Sequence, residues 1–179
     1  MHETTADIAA LQELLDRSYD AAGAHLRSIT TPERRVSAAA LCDQLTGMTL
    51  LVLATVTADG RPIAGPVDGI FHRGAFHFGT SPNAVRARHV LARPQVSATH
   101  LPREEFAVTV HGRAVPVDIR APEGADLRRT LLDVYTPRYG EEWEKFIDPG
   151  PGKEAPVYFR IDADRMFSFQ MVGEPSLEG

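Results

Sequence analysis

The chain has 179 residues, 43% of them apolar and 24% charged, with a formal net charge of −5; this is the composition of a folded protein rather than a disordered one. The acidic balance excludes a general nucleic-acid binder, because polyanions select basic surfaces. A lone cysteine, Cys42, excludes an intramolecular disulfide framework, and the longest apolar run, Met48 to Val56, is far too short to cross a bilayer.

The length suits one domain with an appendage, large enough to bury roughly 70% of its unfolded surface. Met1 to Asp7 is polar and acidic and carries no basic-then-apolar leader. Cys42 sits among Ala and Leu and reads as a buried, inert thiol that fits a reducing compartment. The expectation is a soluble, cytoplasmic protein.

Ile8, Leu11, Leu15, Tyr19, Ala22 and Leu26 recur at helical spacing, and Thr4-x-x-Asp7 can cap the start. This first helix needs a surface for its apolar stripe, either the rest of the chain or a partner subunit. Thr31-Pro32-Glu33, with a hydroxyl, a proline and an acid in order, predicts a second helix that ends near Gly47. Strands follow. Leu50 to Thr57 is β-rich, Asp59-Gly60 is a strong hairpin signal, and Pro62 to His72 returns. Arg73-Gly74 turns the chain into Ala75 to Gly79. Ser81 and Pro82 read as the cap and first position of a helix that ends by Pro94. Gln95 to His100 and Phe106 to Asp118 are the next strands, and Phe106, Val108 and Val110 mark a buried face. Pro122 to Tyr135 and Glu141 to Ile147 read as helices, and Asp148 to Ala155 as a Pro/Gly loop. Glu141-Glu142-Trp143-Glu144 reads as an acidic helix start with one structural anchor. Val157 to Ile161 and Met166 to Met171 form a closing hairpin turned at Asp162 to Arg165. Six or seven hairpin-joined strands with helices at the edges predict a mainly antiparallel barrel of α+β class.

One point in this order invites an anion. Thr80 and Ser81 supply hydroxyls, the helix that follows supplies free amides and the positive end of its dipole, and Arg86 lies one turn in. The same residues equally describe a capped surface helix whose Arg88 and Arg93 complement its C-terminal dipole. Gly150-Pro151-Gly152-Lys153 lacks the first glycine and the preceding strand of a phosphate loop, and reads as a flexible loop. No histidine pair has zinc-ligand spacing, one cysteine cannot build a zinc site, and no Gly-x-Ser-x-Gly elbow is present. No metal and no catalytic side chain is assigned.

The succession Leu53-Ala54-Thr55, Asp59-Gly60-Arg61-Pro62, Gly65-Pro66-Val67 and Phe76-His77-Phe78-Gly79-Thr80 resembles the strands of the FMN-binding split-barrel family, relatives of pyridoxamine 5′-phosphate oxidase. Arg86, His89-Val90 and Arg93-Pro94-Gln95-Val96 resemble that family's phosphate-side helix and its exit. Val110-His111-Gly112-Arg113-Ala114 is similar to its Gly-Arg-Ala strand, and Arg160-Ile161-Asp162 through Phe169 to its closing hairpin. The likeness spans residues 35–118 well and 156–171 loosely. It implies a six- to seven-stranded split β-barrel with peripheral helices, comprising residues 31–172, after an N-terminal helical extension (1–30) and before a tail (173–179).

The resemblance further implies a flavin oxidoreductase, homodimeric, with FMN at the subunit interface and an unknown small molecule as substrate. Ile63, Gly65, Pro66 and Val67 would line the flavin ring, while Thr80, Ser81, Arg86 and Arg88 would hold the phosphate. F420 is the alternative cofactor; its acidic tail would draw on Arg61, Arg86, Arg88 and Arg113. Haem would need an axial ligand, for which His72, His77 and His111 are available, and a non-catalytic flavin- or haem-binding role belongs to the same alternative. Two departures stand out. Arg86 replaces a frequent lysine, which keeps the charge, and Ala84 replaces a frequent serine, which removes a hydroxyl. The closing region Asp162 to Phe169 lacks the Trp/Arg-rich signature of true pyridoxamine phosphate oxidases, which points away from vitamin B6 oxidation.

Overall fold

The computed structural model of the chain describes residues 2–171. The expected tail at 173–179 lies outside them. Helices α1 (Thr5–Asp20), α2 (Ala24–Ile29) and α3 (Ala38–Gln44) precede strands β1 (Met48–Val56), β2 (Pro62–His72) and β3 (Ala75–Thr80). After α4 (Val85–Ala92) come β4 (Gln95–Arg103), β5 (Phe106–Val117), helices α5 (Ala125–Tyr139) and α6 (Glu142–Ile147), and the long β6 (Val157–Gln170). The strands close into an antiparallel barrel in the order β1-β2-β3-β6-β5-β4.

Several expectations are corrected in detail. The first helix stops at Asp20, and Ala24–Ile29 forms a separate one beyond Gly23. Thr31-Pro32 opens only a 3-10 turn, Pro32–Arg34; the α-helix begins later, where Ser37 Oγ accepts from the Ala40 amide. Between them the backbone extends because the Val36 amide donates to Ser168 Oγ at 2.9 Å. The closing hairpin does not form. Residues 157–170 are one strand, and the polar Asp162 to Arg165 segment is a bulge, with His111 opposite Arg165 and Gly112 opposite Ala163. The barrel therefore has six strands.

Leu51, Leu53, Val67, Phe71, Phe76, Phe78, Val108, Val110, Phe159, Ile161 and Met166 fill the interior. Helices α1 and α3 add Leu11, Leu15, Tyr19 and Leu41 to the same core. The α1 stripe thus packs on its own barrel, and Tyr19 Oη binds Ser168 at its amide, carbonyl and hydroxyl. A second cluster lies outside the barrel wall, where Leu127, Leu131, Tyr135 and Ile147 of α5 and α6 cover Ile70 and Tyr158. This satellite core fixes α5 and α6 beside β2 and β6. Among the described residues no helix is long and apolar enough to cross a membrane.

Candidate functional site

Strands β2 and β3 pair only between Gly69–His72 and Ala75–Phe78. N-terminal to Gly69, β2 parts from β3 and keeps only β1 along its length, so residues 62–68 present one strand edge that no other strand among the described residues covers. An uncovered edge carries backbone donors and acceptors in a fixed row. A cavity of about 410 Å³ opens into this split. Pro66, Val67 and Asp68 of β2 line it, with Gly79, Thr80, Ser81, Ala84 and Arg86 around the start of α4, and Tyr135, Trp143, Phe146, Pro156 and Tyr158 complete the lining.

The segment from Thr80 to Arg86 differs locally from its sequence reading. Ser81 does not cap α4. Its carbonyl accepts from the Ala84 amide at 3.0 Å and its hydroxyl from the Asn83 amide at 3.3 Å, which makes residues 81–84 a turn. The helix starts at Val85 behind Ala84, which offers no side-chain cap. Its first-turn amides therefore have no side chain to satisfy them, and they sit at the positive end of the helix dipole beside the cavity. Asn83 Nδ2 donates to Glu154 at 2.6 Å and ties the turn to the loop before β6.

Arg86 is half-buried, lines the cavity, and has no hydrogen-bond or ion-pair partner among the described residues. Its Nη2 lies 3.7 Å from where a Cβ on Gly65 would stand, so the bare Gly65 backbone leaves room for the guanidinium. The other arginines named from the sequence lie elsewhere. Arg61 pairs with Asp59 at 2.8 Å in the β1–β2 turn, and Arg88 donates to the Asn83 carbonyl at 3.2 Å. Neither lines the cavity, nor does Ile63, whose side chain is exposed. Of the nine residues named, the cavity brings together Pro66, Val67, Thr80, Ser81 and Arg86, with Gly65 directly behind Arg86.

The α5–α6 wall was not read from the sequence as part of a site. Tyr135, Tyr139 and Trp143 stack with centroids 4.7 to 6.0 Å apart, and Phe146 lies 4.9 Å from Trp143. Tyr135 Oη donates to the Gly69 carbonyl at 3.4 Å, which seats the wall where β2 leaves β3. Gly79 admits Tyr158 to the cavity floor, since a Cβ there would lie 2.8 Å from its ring. Burial pushes the phenols of Tyr135 and Tyr158 well above the ordinary tyrosine range, so both stay protonated. The Trp143 indole N–H is buried without an acceptor among the described residues.

The histidines considered as haem ligands also lie outside the cavity lining. His77 is enclosed, with Nδ1 3.2 Å from the Ala75 carbonyl. His72 sits 3.1 Å from the Thr130 hydroxyl, and His111 2.8 Å from Ser97. Burial pushes the Cys42 thiol up to about 12, which leaves it unreactive. Among the described residues no group of three His, Cys, Asp or Glu side chains could hold a metal ion.

No curated protein matches the sequence. Solved structures do match the fold. A conserved hypothetical protein from Mycobacterium tuberculosis aligns over 80% of this chain and 96% of its own, at 22% identity and a TM-score of 0.61. A heme storage protein from Vibrio cholerae aligns over 70% and 88%, at 22% identity and a TM-score of 0.55. An FAD-binding protein from Mesorhizobium loti aligns over 78% and 98%, at 21% identity and a TM-score of 0.52. The model of the pyridoxamine 5′-phosphate oxidase family matches residues 38–168, which run from α3 through most of β6 and include the whole split, and the chain belongs to that family.

Proposed function

We propose that the protein is a flavin-dependent oxidoreductase that holds its cofactor by the phosphate, and that FMN is the minimal form it takes. The observation that carries this reading is the Arg86 guanidinium, without a partner among the described residues, in a cavity it shares with Thr80 and Ser81 beside the uncapped start of α4. A half-buried cation without a counter-ion is costly. A phosphate would satisfy the guanidinium, both hydroxyls and the free amides together. The uncovered edge of β2 supplies backbone groups for the polar rim of a flat ring at Ile63, Gly65, Pro66 and Val67.

When bound, the flavin would supply the hydride or electron transfer. The chain's own residues bind and orient it. Arg86, Thr80 and Ser81 fix the phosphate, the β2 edge sets the plane of the ring, and the α5–α6 wall keeps water from one side. No acid–base side chain lines the cavity apart from Asp68 and the two protonated phenols, in keeping with chemistry that resides in the cofactor. The lining favours a flavin over F420, because Arg86 is its single cation and Asp68 opposes an acidic tail. It favours a flavin over haem because it holds no histidine.

Family resemblance implies a homodimer with the ring at the interface. Leu50 and Val52 support it: they project outward from β1 at 56% and 53% exposure, and Val52 lies between Pro66 of β2 and Thr99 of β4. On this reading the segment 1–30 braces the barrel domain 31–172, and the protein works in the cytoplasm, where Cys42 stays reduced.

The test is a titration of ligand-free protein with FMN and with F420, read by cofactor fluorescence. FMN is expected to bind saturably, and Arg86→Ala to weaken it about 10- to 100-fold, the worth of charge-assisted hydrogen bonds. Binding of neither cofactor would sink the flavoenzyme reading; equal binding by the Arg86→Ala protein would move the phosphate elsewhere.

A further inference from the structure

The outward side chains of β2, β1, β4 and β5 form a block whose register is fixed. Pro66, Val52, Thr99 and Thr109 run across its middle, one from each strand in turn. Two residues along in one direction, Asp68 stands opposite Leu50. Two residues along in the other, Ala54 stands opposite Ser97, and Ser97 opposite His111. Asp68 and His111 thus occupy diagonal corners, each about 10 Å from the Val52–Thr99 pair and about 20 Å from one another. Both are exposed, and among the described residues of the block they are its only acid and its only imidazole.

The rest of the block can be covered at little cost. Its three hydroxyls are already engaged, Thr99 with Thr109 at 3.1 Å and Ser97 with His111 Nδ1 at 2.8 Å. A polar group satisfied within its own chain loses little when water leaves. The two corners that stay open are complementary. Neither the Asp68 carboxylate nor His111 Nε2 has a hydrogen-bond or ion-pair partner among the described residues. A carboxylate accepts, and an imidazole whose Nδ1 accepts from a hydroxyl donates through Nε2.

In a two-fold contact, each meeting of one residue with another occurs twice. Points equidistant from the centre come together when the axis lies in the contact plane, at right angles to the line between them. For Asp68 and His111 that axis runs diagonally to the strands. The two sheets then cross at roughly a right angle, one of the two ways in which sheets pack. A second copy therefore satisfies both corners at once, with apolar Leu50 and Val52 between them.

Resting on the homodimer reading above, we propose that two copies pack through this block, centred on Val52 and Thr99, and that Asp68 of each accepts a hydrogen bond from His111 of the partner subunit. Asp68 lines the cavity, so His111 of the partner subunit completes the site on that side.

The experiment is sedimentation equilibrium on the full chain and on two variants, Asp68→Lys and His111→Glu. Both positions are exposed, so the fold should hold, which circular dichroism checks. The parent is expected to be a dimer. Each variant alone should dissociate at least about 30-fold more readily, because it sets two donors or two carboxylates face to face twice per dimer. Mixed in equal amounts, the two variants should dimerise within about threefold of the parent. The mixed dimer joins the introduced lysine to the introduced glutamate and keeps one Asp68–His111 pair. No contact within one chain gives that rescue, since the positions lie about 20 Å apart. A single variant that stays dimeric, or a mixture that stays monomeric beside a dimeric parent, would overturn the pairing and leave the homodimer standing. A monomeric parent would overturn both. FMN affinity supplies the second readout: His111 lies outside the lining of its own cavity, so a loss in His111→Glu that the mixture restores reports on the other copy's cavity. Equal FMN affinity in His111→Glu and the parent would take the second copy out of the site.

Discussion

The Arg86 guanidinium stands 3.7 Å from the point that a Cβ on Gly65 would occupy. The two residues are 21 positions apart, yet the free space of one is the seat of the other. A methyl group at Gly65 would make ordinary contact, whereas the branches of a valine would reach into the guanidinium. Gly65→Ala should leave FMN affinity little changed. Gly65→Val should lower it about tenfold or more by displacing the charge-assisted contacts. Valine suits a strand, so thermal stability should hold. Equal FMN affinity in both variants would separate Arg86 from the phosphate.

Tyr19 fastens the N-terminal helix to the barrel through a buried three-way contact: its hydroxyl lies 2.8 to 2.9 Å from the amide, carbonyl and side-chain oxygen of Ser168. Tyr19→Phe keeps the ring and strands the Ser168 amide without an acceptor. The expected cost is about 1–3 kcal/mol, read as a lower denaturant midpoint at unchanged slope. A midpoint within error of the parent would mean that water or a shifted Ser168 replaces the bond.

How much of this could be read from the sequence depended on range. Asp59-Gly60, Arg73-Gly74 and the Thr4–Asp7 capping box are local signals, and each sits where it was expected. The Asp162–Arg165 segment has turn-like polarity but is consumed as a bulge. Its cause is on another strand: at Gly112 the Asp162 carbonyl takes the place a Cβ would need. Ser81-Pro82 has the signature of a helix start, but the turn through Ala84 uses it first. Tyr135, Trp143 and Phe146 have ordinary amphipathic spacing. Only the satellite core on Ile70, formed across distant segments, turns them toward the cavity.

Stability should fall with acid before the carboxylates titrate. Burial pushes the His77 imidazole down from its ordinary 6.5 to about 3. Burial also lowers His72, although the Asp126 carboxylate 3.5 Å away partly opposes it. Both are neutral in the folded chain and take up a proton on unfolding. The His77 contribution is therefore complete above pH 6.5 and is lost as pH falls from there toward 3, and His72 acts in the same direction. Well inside that window His77 alone should give a slope of about 1.4 kcal/mol per pH unit. Denaturant melts between pH 7 and 4 measure it, and His77→Gln should flatten the curve. An unchanged slope in that variant would assign the loss to other groups.

The outer face of β1 carries the last prediction. Val52 lies between Pro66 and Thr99 on the strands to either side, and Leu50 lies two residues along the same row. Two large apolar side chains, each more than half exposed, project from a barrel wall that buries its inward row almost completely. If a second copy covers this row, a carboxylate at its centre must be desolvated without a partner. Val52→Asp should then shift the protein from dimer to monomer in sedimentation equilibrium, while circular dichroism stays the same, because Val52 contributes nothing to the interior. Flavin affinity should drop with the dimer, since Pro66, which lines the cavity, lies opposite Val52 on the same face. A Val52→Asp protein that remains dimeric would move the interface off this face, and a monomer that binds FMN as tightly as the parent would make each cavity complete within one chain.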